Sequence, residues 1–159
     1  MVSASLDMLE ESLVRKLDVM HRIQEENARQ KDILSDPDHL DVEEFDRTLD
    51  VKGELIDQLL SLDEGFQTLF DRVKEEVGEH KELYADQIKR MQNLIHDITD
   101  ASASIEAAER RNKSMAENYF KVARNHMNQG RQSSAAAFNY YQTMNNFKNV
   151  PPQFMDRKN

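Results

Sequence analysis

Cysteine and tryptophan are absent from this 159-residue chain, and glycine (4) and proline (3) are scarce. Without cysteine there is no disulfide framework and no thiolate metal site, so a reducing cytosol is the expected compartment. With four isolated glycines no loop can wrap a phosphate, and with so few breakers the chain reads as long helices without strands. Nor does any apolar run approach the roughly 20 residues that span a bilayer, and the first residues lack the pattern of a signal peptide, so no membrane insertion is expected. Positive charge is the last shortage. A formal net charge of -9 argues against a nucleic-acid partner, whose affinity would come from clustered Lys and Arg. From Tyr119 onward, however, six basic residues face one acidic, leaving -14 for residues 1–118.

What is present is helical periodicity. Leu6, Leu9, Leu13, Leu17, Met20 and Ile23 recur at steps of three and four. That stripe weakens at Asn27 and Gln30, which read as a solvated helix end, and Ser35-Asp36-Pro37-Asp38 stops the helix. Asp41-Val42-Glu43-Glu44 resembles a capping box opening a second helix. Apolar heptads then run through Val42, Leu49, Ile56, Phe70, Val77, Tyr84, Met91, Ile98 and Ile105 on one seam. The other carries Phe45, Leu59, Phe66, Val73, Leu94, Ala101, Ala108, Met115 and Val122. Lys52, Asp63, His80 and Gln87 interrupt them before Asn112. Such a length cannot be covered by the first helix unless it folds back once. A turn at Gly78 gives better-matched lengths than one at Gly65, which becomes a weak point inside the second helix.

The expected architecture is all-α: an antiparallel three-helix up-and-down bundle over residues 1–130, with helices at about 3–34, 41–78 and 81–128. A C-terminal segment, 131–159, adds a short helix at about 134–147 and a non-helical tail beginning near Pro151-Pro152.

A search for chemistry returns nothing. The five histidines are scattered, no Glu-x-x-His or His-Glu-x-x-His occurs, and Glu25-Glu26 and Glu75-Glu76 fall off the apolar seams. No catalytic residue, metal or cofactor is expected, and the chain reads as no enzyme. Apolar surface remains. The end of the third helix and the segment after it carry Met115, Tyr119, Phe120, Val122, Met127, Phe138, Tyr140, Tyr141, Met144 and Phe147. Aromatics and methionine bury large area and adapt in shape, which suits a surface that accepts another helix. The same residues could instead fold back to finish the bundle core, or do each in turn.

Two stretches, Glu109-Arg110-Arg111-Asn112-Lys113 and Lys52 to Asp63, are similar to parts of the third and second helices of the flagellar export chaperones of the FlgN family. The resemblance covers the layout of most of residues 5–128. Tyr140-Tyr141 and Pro151 to Asp156 depart from the better-known members. It implies a cytoplasmic chaperone of flagellar type III export that binds the C-terminal helices of hook-filament junction proteins, keeps them unpolymerised and presents them to the export apparatus. Client binding would belong to the end of the third helix and the segment beyond. Asn112 stands at a seam position, open to a role against a client backbone or as a register-setting residue within the bundle. Two alternatives remain: a filament-cap chaperone of the FliT type, and a structural coiled-coil protein that self-associates. A weak homodimer is compatible with either chaperone.

Overall fold

In the computed structural model, residues 3–124 are described together with Tyr140 and Met144. Within residues 3–124 the α-helices are, in order, α1 (Ala4–Leu34), α2 (Val42–Asp63), α3 (Phe66–Val77) and α4 (Ala85–Arg124), with 3-10 turns at Pro37–His39 and Lys81–Tyr84. No strand occurs among the described residues. Their long helices pack together around one apolar core.

Local chemistry sets the boundaries. The Ser3 hydroxyl caps α1 by accepting from the Leu6 amide at 3.1 Å. The Asp41 carboxylate caps α2 by accepting from the Glu43 and Glu44 amides. Glu44 does not complete a capping box, because its carboxylate pairs with Arg47 one turn on. The expected helix at 41–78 is divided: α2 ends at Asp63, and Gly65, at φ 77°, takes the left-handed conformation in which a side chain is strained. Gly78, at φ 53°, ends α3, and the next α-helix starts only at Ala85, after the 3-10 turn.

Contacts between helices run in a consistent order. Against α2 and α3, residue numbers fall as those of α1 rise: Gln30 meets Thr48, Asn27 meets Lys52, Lys16 meets Asp63, and Ser3 and Ser5 meet Glu76. Helix α3 therefore continues the course of α2 despite the break. Against α4 the numbers rise together, from Glu10 with Arg90 to Asn27 with Asn112.

The interior stripe of α1 is Leu6, Leu9, Leu13, Lys16, Met20, Ile23, Asn27, Gln30 and Leu34, alternating steps of three and four without interruption. Lys16, not Leu17, takes the inward position at the middle of the helix, and Leu17 lies on the flank. Asn27 and Gln30, expected to be solvated, are 1% and 0% exposed. In α4 the stripe has another period. Ile98, Ala101, Ile105, Glu109, Asn112, Ala116 and Phe120 are buried, so each interior position from Ile98 to Glu109 recurs eleven residues later. An eleven-residue repeat corresponds to about 3.67 residues per turn, whereas a heptad needs 3.5. The interior thus leaves the heptad after Ile105, and Glu109 and Ala116 replace Ala108 and Met115 as inward residues. The expected end of the last helix at 128, the short helix at 134–147 and the tail lie outside the described residues, apart from Tyr140 and Met144, which are both helical.

Candidate functional site

The interior of a helical bundle is ordinarily filled by apolar side chains, and an ionised group there needs partners for every donor and acceptor. Between the apolar groups around Ile23, Ile56 and Ile105 and those around Leu34, Phe45 and Phe120, the chain inserts a polar layer: Asn27, Gln30, Thr48, Lys52, Glu109 and Asn112. Lys52 sits at its centre, fully buried. Its Nζ donates to Asn27 Oδ1 (2.7 Å) and Gln30 Oε1 (2.9 Å) and lies 2.8 Å from Glu109 Oε1, which together use the three protons of an ammonium. Burial pulls its pKa down to about 8, and the Coulombic attraction and hydrogen bond of Glu109 oppose that shift.

Asn112 closes the layer from α4. Its Nδ2 donates to the Asn27 carbonyl and to Gln30 Oε1, each at 3.0 Å, and its Oδ1 accepts from Arg111 Nε at 3.1 Å. Gln30 Nε2 donates to Thr48 Oγ1, which donates in turn to the Phe45 carbonyl. Of the two roles open to Asn112, the contact within the bundle is therefore the one displayed.

The residue that covers this layer comes from the C-terminal segment. Tyr140 is 6% exposed; its hydroxyl donates to Glu109 Oε1 at 2.8 Å, and Lys52 Nζ lies 4.2 Å from the centroid of its ring. Met144, 3% exposed, joins the same apolar cluster. Two atoms in the layer, Asn27 Nδ2 and Glu109 Oε2, have no hydrogen-bond partner among the described residues.

The expected partner-binding residues divide accordingly. Asn112, Phe120, Tyr140 and Met144 are buried, and Phe120 packs edge-on against Phe45 with ring centroids 5.6 Å apart. Met115 and Tyr119 are half-buried on the flank of α4, and Val122 is exposed. Met127, Phe138, Tyr141 and Phe147 lie outside the described residues. Lys52, Glu109, Asn27 and Gln30 were not among the expected site residues. The available signal was their place: Asn27 and Gln30 continue the α1 stripe, and Lys52 stands on the α2 seam.

Elsewhere, an open groove of about 340 Å³ between α1 and α4 is lined by Leu17, His21, Gln24, Asp97, Asp100, Ala101 and Ser104. No group of three His, Asp or Glu side chains among the described residues is placed to hold a metal ion, and no described helix is long and apolar enough to cross a membrane. No protein-family model matches the chain, and no curated protein or solved structure matches it either.

Proposed function

We propose that the protein is a cytoplasmic binding chaperone of flagellar type III export. In this reading an antiparallel up-and-down bundle, closed by a short C-terminal helix, receives the C-terminal helices of hook-filament junction proteins. The observation that carries the reading is the seating of Tyr140 and Met144 on the bundle. Tyr140 and Met144, from the chain's own C-terminal segment, cover a layer containing a charged pair, and a foreign helix of like chemistry can take their place. The client is held unpolymerised while it occupies the site, and the chain's own segment reoccupies the site when the client leaves. The identity of the client rests on the resemblance of residues 52–63 and 109–113 to the FlgN family.

Size-exclusion chromatography with light scattering, on the protein mixed with C-terminal segments of junction and cap proteins from the same genome, tests this. A one-to-one complex with a junction segment is the expected result. A complex with the cap protein alone transfers the role to a FliT-type chaperone. A stable homo-oligomer that ignores every segment overturns the proposal in favour of a self-associating coiled coil.

A further inference from the structure

The seat beneath Tyr140 is chemically selective. Lys52 and Glu109 form a neutral pair, with the ammonium's donors already engaged by Asn27, Gln30 and Glu109. Whatever covers the pair must exclude water without adding charge: a cation would face Lys52, and an anion would face Glu109. Leucine, the usual occupant of a coiled-coil seam, would take the Tyr140 hydroxyl from a buried carboxylate whose other oxygen has no partner among the described residues. A phenol meets both needs, since its hydroxyl donates to Glu109 and its ring face lies against the Lys52 ammonium. Four residues on, Met144 is helical and buried, and that is the spacing at which two side chains share one face of a helix.

We infer that the Lys52–Glu109 seat selects partner helices presenting a tyrosine with an apolar residue four positions later, in imitation of Tyr140 and Met144, and rejects helices with leucine at the first position. This rests on the chaperone reading, because it requires that a foreign helix can replace the chain's own segment.

The test uses full-length protein carrying Tyr140→Ala and Met144→Ala, which leaves the seat without its own tyrosine. Labelled peptides of sequence 134–147, with Tyr, Phe or Leu at the position of Tyr140, are titrated by fluorescence anisotropy. Loss of a hydrogen bond to a charged group predicts that the Phe peptide binds about ten- to a hundredfold more weakly than the Tyr peptide, with the Leu peptide no better. Adding Lys52→Met and Glu109→Leu together, which replaces the charged pair by apolar groups, should abolish the preference for tyrosine. Equal binding of the three peptides, no binding of any, or a preference that survives the double replacement overturns the inference. Junction segments that bind irrespective of their tyrosines would overturn it while sparing the chaperone reading. Selective peptide binding without any junction-segment complex would sustain it and remove only the flagellar client.

Discussion

Lys52 and Tyr140, on different helical segments, meet through one atom: both reach Glu109 Oε1, at 2.8 Å each, while the ammonium lies 4.2 Å from the tyrosine ring centroid. The charged pair and its cover thus form a unit. Removing either ion leaves the other buried without its counter-charge, which typically costs about 3–5 kcal/mol, whereas replacing both by apolar residues is often neutral or stabilising. Lys52→Met and Glu109→Leu should each lower the unfolding free energy by about that amount, and the double variant should recover most of it. Urea denaturation of the four proteins checks this, and additive losses would show that the two residues act separately.

Asn112 satisfies two acceptors on α1, and both are interior. Asn112→Ala should cost about 1–3 kcal/mol, because the Asn27 carbonyl and Gln30 Oε1 each lose a buried donor without gaining water. Thermal unfolding measures it. Val122→Ala, at an exposed position, should change stability by under about 0.5 kcal/mol.

How much of this was legible in the sequence is best seen in α1. The stripe from Leu6 to Ile23 announced the helix, and a strict alternation of threes and fours carried on from Leu6, Leu9 and Leu13, in place of the step to Leu17, would have placed Lys16, Asn27 and Gln30 inside. Their polarity hid them, because a polar residue on a seam signals solvent unless its partners are known, and those partners lie on α2 and α4. Glu109 was hidden differently. It is one residue off the heptad, and only the shift to an eleven-residue repeat in α4 turns it inward. The break at Gly65 could be read as weakness but not as a left-handed residue, since isolated glycine is also tolerated within helices, as Gly53 is.

The two glycines of that region predict opposite outcomes. A Cβ at Gly53 meets no atom within 4 Å in a helical setting, so Gly53→Ala should stabilise by about 0.5–1 kcal/mol. Gly65 is equally open, but its φ of 77° makes any side chain strained, so Gly65→Ala should destabilise by about 1–2 kcal/mol. Paired thermal melts distinguish the two signs.

At the start of α1, Glu76 accepts from the Ser3 and Ser5 hydroxyls and the Ser5 amide, and Glu10 accepts from Arg90 and Gln87. Hydrogen bonds from the serines hold the Glu76 carboxyl below its usual pKa, and the hydrogen bond from Arg90 does so for Glu10. A lowered native pKa means that the unfolded state binds protons first on acidification. The stability these groups contribute is present above about pH 4.5 and is lost as pH falls through their lower native values. Protection of the amides at the start of α1, taken relative to the intrinsic exchange rate at each pH, should fall below that pH, and Glu76→Gln should reduce the dependence.

The central claim is that the C-terminal segment occupies the site a client takes. Hydrogen–deuterium exchange of the full-length protein, with and without a saturating junction-protein C-terminal segment, addresses it directly. Displacement predicts that amides of the peptide spanning Tyr140 and Met144 lose protection when the client binds, while the peptides around Lys52 and Glu109 stay protected. Unchanged or increased protection at Tyr140 and Met144 in the complex would contradict it, because the client would then be bound elsewhere or on top of a segment that never leaves.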